Sequence, residues 1–116
     1  MDVPAGTRSP QQRILDAIRA VPAGQVASYG GIARRAGLPG RARLVARVLG
    51  ESDVPDLPWH RILRSDGRIA FAQGSRPWRE QARRLRAEGV AVRNGRVRMD
   101  ANGGGDSLDA ALWAPR

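Results

Sequence analysis

An α+β fold, mainly helical, with a helix-turn-helix early and a small β-hairpin late, is the class this sequence predicts. Three observations carry it. Apolar residues recur at helical spacing in four short stretches. The second and third stretches are joined by the Gly/Pro turn Gly37-Leu38-Pro39-Gly40, and the third bears arginines on one face. A late alternating run is broken at Asn94-Gly95, a pair suited to a two-residue hairpin turn. With 116 residues, the chain has room for one small domain.

Residues 1–8 are expected to be a flexible arm. Ser9-Pro10-Gln11-Gln12 reads as a helix start, with Ser9 as cap, Pro10 in the first turn and Gln12 as a capping-box partner. Ile14, Ala17, Ile18 and Val21 then form one apolar stripe, ended by Pro22-Ala23-Gly24. Ser28 is the second cap, and its helix turns Ile32, Ala33 and Ala36 inward. The third helix is expected over about 41–49, with Ala42, Val45, Ala46 and Leu49 as its core stripe. Arg43 and Arg47, four apart, share the opposite face.

A polar loop with two prolines, 50–58, leads to Trp59-His60-Arg61-Ile62-Leu63 and the turn Ser65-Asp66-Gly67. Arg68 to Phe71 reads as a brief strand, and Gln73 to Arg76 as a loop. Pro77 opens a fourth helix with Trp78, Ala82 and Leu85 inward, an arginine-rich outer face and Gly89 as its stop. In the final hairpin, Val92 should face Val97, and Val90 should face Met99. Residues 101–116 begin with a glycine run and are expected to be a disordered tail. Helices first and a hairpin late, over 9–100, amount to a winged-helix-like domain.

Composition narrows the chemistry. The chain has no cysteine, which excludes disulfides, thiolate metal sites and a cysteine nucleophile. His60 is the single histidine, so a multi-histidine metal site is excluded too. Neither metal nor cofactor is expected. No apolar run reaches the roughly 20 residues that span a bilayer, and the first residues lack a signal-peptide core. A cytoplasmic, nucleoid-associated address and no membrane partner follow as expectations. Twenty basic residues face eleven acids, giving +9, and every basic residue is Arg. The missing Lys reads as codon bias in a GC-rich genome. The excess itself calls for a polyanion, and the guanidinium suits bidentate phosphate contacts.

Three features are candidates for function, each with a bland counterpart. His60 is either a general base or a histidine that holds its loop by hydrogen bonding; no nucleophile motif accompanies it, which favours the second. Trp59, in Pro58-Trp59-His60-Arg61, is either core or a flat wall for an aromatic ligand. The Arg43/Arg47 face is either solvated or laid in a DNA groove.

Several motifs resemble one family, the O6-alkylguanine-DNA alkyltransferases. Val26-Ala27-Ser28-Tyr29-Gly30-Gly31-Ile32-Ala33 is similar to their V-x-S-Y-G-x-[IL]-A segment. Arg41-Ala42-Arg43-Leu44-Val45 resembles their A-[AS]-R-x-V helix. Pro58-Trp59-His60-Arg61 resembles the Pro-Cys-His-Arg active site, and Glu88-Gly89 the end of the last helix. The resemblance spans about residues 10–99. Trp59 replaces the acceptor Cys, the hallmark of the alkyltransferase-like proteins, which transfer nothing. Alkyl transfer from the guanine oxygen is displacement by a thiolate, and an indole offers no such nucleophile.

The resemblance implies roles residue by residue. Tyr29 presses on the phosphate beside the lesion. Arg43 enters the base stack from a recognition helix in the minor groove. Ala42 and Ala46 permit close approach there. Arg47 is expected to contact DNA too, because its spacing puts it on the Arg43 face. Trp59, with Tyr29 and Pro58, lines the lesion pocket. His60, Arg61 and Glu88 persist as a structural network. Some relatives carry a lid-loop Arg that senses the modified base. Counting from Trp59 lands on Ala72, so Arg68 and Arg76 are the nearby candidates. The implied partners are duplex DNA containing O6-alkylguanine and nucleotide excision repair proteins. No dimerisation helix is evident, so a monomer is expected. The competing reading is a winged-helix transcription regulator indifferent to alkylation.

Overall fold

The computed structural model describes residues 8–99. The expectations for residues 1–7 and 100–116 lie outside that range. Seven elements follow in order. They are α1 (Pro10–Arg19), β1 (Ala27–Ser28), α2 (Tyr29–Arg35), α3 (Ala42–Glu51), a 3-10 turn (Trp59–Arg61), β2 (Ile62–Leu63) and α4 (Arg76–Ala87).

Local capping explains where three helices begin. The Ser9 hydroxyl accepts from the Gln12 amide, Ser28 from Gly31 and Ser75 from Trp78. The expected capping box does not close, because the Gln12 side chain donates forward to Asp16 instead (3.3 Å). Arg8, at the edge of the expected arm, pairs with the same carboxylate (2.7 Å). Helix α4 starts one residue before Pro77, at Arg76, since Ser75 supplies the cap and proline is tolerated anywhere in the first turn.

The buried residues form two clusters. Ile14, Ile18, Ile32, Val45 and Val48 unite α1, α2 and α3. Val26, Leu63, Ile69, Leu85, Val90, Val92 and Val97 unite α4 with the C-terminal turn. Between them runs a parallel pair, β1 with β2, in register Ala27↔Ile62 and Ser28↔Leu63. Successive strand residues point to opposite faces. Ala27 and Ile62 therefore enter the first cluster, while Val26 and Leu63 enter the second.

Three expectations need correction. The buried face of α3 is Val45 and Val48 rather than the Ala42/Val45/Ala46/Leu49 stripe. Ala46 is exposed, and Ala42 and Leu49 are only partly buried. The larger Val48, one turn after Val45, fills the space against the other helices. Residues 68–71 are not a strand; Arg68 makes a single bridge to Arg96. The hairpin also shortens to its turn. Arg93 and Arg96 exchange both backbone hydrogen bonds (3.0 Å each) around Asn94 and Gly95, at φ +52° and +72°. Beyond that rung the returning strand pairs elsewhere, with the Ile69 amide donating to the Gly95 carbonyl and the Val97 amide to Gly67 (2.9 Å each).

Gly95 has a second constraint besides its positive φ. A Cβ there would lie 2.7 Å from Cζ2 of Trp78. Gly95→Ala is therefore expected to destabilise the fold by more than about 1 kcal/mol. A thermal melt of the variant measures this, and an unchanged midpoint would count against tight Trp78–turn packing.

Candidate nucleic-acid interface

Helix α3 presents two surfaces. On one, Gly40, Arg41, Ala42, Arg43, Leu44 and Arg47 line an open depression of about 680 Å3. Arg43 and Arg47 are exposed there. Arg47 has only a loose pair with Glu51 (3.7 Å), an exposed contact that restrains it little. On the adjoining surface, Ala46, Leu49 and Gly50 form one wall of a cavity of about 190 Å3. Tyr29, Trp59, Phe71 and Gln81 complete it. The absence of a bulky side chain at Ala46 and Gly50 is what leaves this space beside α3.

Each wall has a reason for its place. Tyr29 opens α2 directly after the Ser28 cap, and burial pushes its phenol above the ordinary value. Trp59 opens the 3-10 turn over the buried Leu57 and Pro58, and its amide donates to the Leu57 carbonyl (2.8 Å). The buried Gln81 donates to the carbonyls of both His60 and Ile62 (3.0 Å each), fixing the turn to α4. The Trp59 ring meets His60 and Phe71 edge-on, with centroids 6.0 and 6.1 Å away. Phe71 is 41% exposed, the one large apolar side chain left in solvent among the described residues. The Arg84 guanidinium lies 5.3 Å from the Trp59 ring centroid, a cation–π distance. Its Nε donates to Glu80 (2.8 Å).

Behind the turn, Glu88 joins three chain segments. Arg61 donates to it through Nη2 (2.6 Å) and Nε (3.0 Å), and the Gly24 amide donates from the loop after α1 (3.3 Å). His60 Nε2 lies 3.0 Å from Oε2, the same oxygen that Arg61 Nη2 meets, while Arg61 Nε and the Gly24 amide meet Oε1. The Arg61 guanidinium, aided by His60 and Gly24, holds the Glu88 carboxyl at about 2, far below its ordinary 4.5. An ionised carboxylate only accepts, so His60 Nε2 carries the proton. Among the described residues, Glu88 is the side-chain hydrogen-bond partner of the buried His60, which is thereby held against the end of α4.

The sequence-predicted residues thus separate into groups. Tyr29, Ala46 and Trp59 meet at one cavity, Ala42, Arg43 and Arg47 share the adjoining depression, and His60, Arg61 and Glu88 form one network. Pro58 is buried and does not line the cavity. Neither Arg68 nor Arg76 reaches it; Arg68 lies near Asp66 (3.7 Å) and Arg76 is the exposed first residue of α4. The arginine beside Trp59 is Arg84, which sequence reasoning left among the outer-face residues of α4. Phe71, Leu49, Gly50 and Gln81 were missed as well. A lone Phe in a polar loop was the one available signal.

Residues 9–90 match the family described as 6-O-methylguanine DNA methyltransferase, DNA binding domain. The chain belongs to this family. Among similar family members is a DNA base-flipping protein of Vibrio parahaemolyticus, 40% identical over 69% of this chain and 79% of the relative. Alkyltransferase-like protein 1 of Schizosaccharomyces pombe is 36% identical over 69% and 75%. The crystal structure of S. pombe Atl1 in complex with damaged DNA containing O6-carboxymethylguanine superposes with a TM-score of 0.66. It is 33% identical and covers 75% of this chain and 83% of that one. Within the family, Trp59 is the departure that decides the chemistry, since this sequence contains no cysteine to accept an alkyl group.

Proposed function

We propose that this protein is a non-enzymatic sensor of O6-alkylguanine in duplex DNA. The carrying observation is the cavity between α3 and Trp59, directly beside the arginine-bearing surface. Its volume of about 190 Å3 exceeds that of a cavity of about 150 Å3 that takes up benzene. Tyr29, Phe71 and Trp59 give it aromatic walls, and the indole is neither sealed in the core nor free in solvent.

On this reading α3 enters the minor groove with Arg43 foremost. The planar cation fills the place of an extruded nucleotide, and Tyr29 bears on the neighbouring phosphate. The lesion swings into the cavity and stacks against Trp59. A poorly paired O6-alkylguanine costs less to extrude than guanine, so damage is selected before any contact to the alkyl group. No thiolate waits there, and the adduct stays intact. The protein works as a monomer at nucleoid DNA and marks the site for nucleotide excision repair.

The test is a competition gel shift with matched duplexes containing guanine or O6-methylguanine, followed by recovery of the DNA. The expected result is preferential binding of the adduct and full retention of its methyl group. Equal binding of both duplexes, or loss of the methyl group, would refute the reading. Arg43→Ala is expected to weaken both duplexes about tenfold, or ~1.4 kcal/mol, because the finger is used whatever base is flipped. Weakening confined to damaged DNA would contradict that role.

A further inference from the structure

The helix-turn-helix half is not the more basic half of this molecule. Residues 8–58 hold eight arginines against four acids, whereas residues 59–99 hold eleven against three. Most of the net positive charge of residues 8–99 therefore lies off α3.

Part of the excess is concentrated at one place. Arg96 is bridged on one side by Arg68 and on the other by Arg93, both antiparallel. Residues paired in this way project from the same face, and like charges placed directly opposite destabilise a sheet. Arg64 adjoins them, its amide donating to the Arg68 carbonyl (2.9 Å). All four side chains are exposed. Among the described residues, one carboxylate, Asp66, lies within this group. It accepts the Arg68 amide (3.0 Å), lies 3.7 Å from Arg68 Nε, and its backbone carbonyl accepts from Arg96 Nε (3.0 Å). The Arg68 amide, with the guanidiniums of Arg68, Arg64 and Arg96, keeps the Asp66 carboxyl below its ordinary value. Arg64 acts on Asp66 only through its charge, with no hydrogen bond or close ion pair to it.

This cluster sits on firm backing. Ile69, Val92 and Val97, interleaved with the arginines, are buried in the second core cluster. The guanidiniums are thus displayed from a packed turn, on the lobe that does not contain α3.

We propose that Arg64, Arg68, Arg93 and Arg96 form a second DNA-backbone contact, taking phosphates away from the segment under α3. Four exposed cations around one acid match a phosphate row, which relieves their mutual repulsion and gains from counterion release. The inference rests on the protein being a DNA binder, and it is independent of lesion preference.

The test is the salt dependence of binding, read by fluorescence anisotropy on damaged and undamaged duplexes. Each phosphate contact adds about 0.9 to the slope of log K against log salt. The double variant Arg93→Gln/Arg96→Gln is expected to lower that slope by about 2 and to weaken both duplexes by the same several-fold factor. Arg93→Lys/Arg96→Lys should retain most of the slope, since it keeps the charge. Trimming the duplex flanks in the wild type should reproduce the loss if the phosphates belong to the lesion duplex. If they belong to a second duplex, the wild type but not the glutamine variant should retain two differently labelled duplexes together. An unchanged slope in a glutamine variant that melts like the wild type overturns the proposal, and leaves the cluster to an acidic protein or to solvent. A missing lesion preference with the slope change intact would instead overturn the sensor reading alone.

Discussion

Glu88→Gln is expected to lower the stability of the fold by about 2 kcal/mol at neutral pH. The carboxylate ties the end of α4 to Arg61 and His60 in the Trp59 turn and to Gly24 after α1. Arg61 extends the tie by donating to the Val21 carbonyl (2.9 Å). Exposed ion pairs contribute at most about 1 kcal/mol, and breaking a fully buried one costs roughly 3–5. The Arg61 and Glu88 side chains are 17% and 18% exposed, so solvent screens them partly and the intermediate figure applies. For a domain of this size the melting midpoint should fall by roughly 10 °C. The pH dependence has a definite sign. The folded carboxyl titrates at about 2 rather than 4.5, so its contribution is complete above about pH 4.5 and is lost as pH falls towards 2. Melts from pH 7 down to pH 2 should show the wild type converging on the variant across that window. Parallel curves for the two proteins would mean that Glu88 is not the hub.

The parts of this fold that were legible in the sequence are those set by local chemistry. Ser9 and Ser28 announce α1 and α2 because a cap acts over three residues. Asn94-Gly95 announces its turn because both positions need positive φ. The parallel pairing of Ala27–Ser28 with Ile62–Leu63 was not legible, since two-residue strands far apart in sequence have no periodicity to read. The face of α3 was ambiguous for another reason. Its apolar residues run almost continuously, and only packing against α1 and α2 decides that Val48 goes inward while Ala46 faces the cavity. The site divides the same way. Pro58-Trp59-His60-Arg61 and Glu88 were visible only through their resemblance to the alkyltransferase motifs. Arg84 was one of several arginines on α4, and only its position above the Trp59 ring distinguishes it.

Trp59→Ala should abolish most of the preference for damaged DNA, by about 5- to 150-fold, while leaving undamaged binding nearly intact. The range is the ~1–3 kcal/mol lost per base when an aromatic platform is truncated. The two readouts separate because the residues separate. Arg43 and Arg47 belong to the open depression on α3, which Trp59 does not line, and Trp59 belongs to the cavity beside it. Truncation also removes the edge contacts to Phe71 and His60 and the face on which Arg84 rests. Because the indole is only partly buried, the stability cost should stay below the roughly 3–5 kcal/mol of a core Trp→Ala change. Trp59→Phe keeps a flat wall and should retain part of the preference. Competition between O6-methylguanine and guanine duplexes measures all three proteins. If the alanine variant discriminates as well as the wild type, the indole is not the wall against which the lesion stacks. Discrimination would then come from the lower cost of extruding a mispaired base, a property of the DNA that no side chain in the cavity controls.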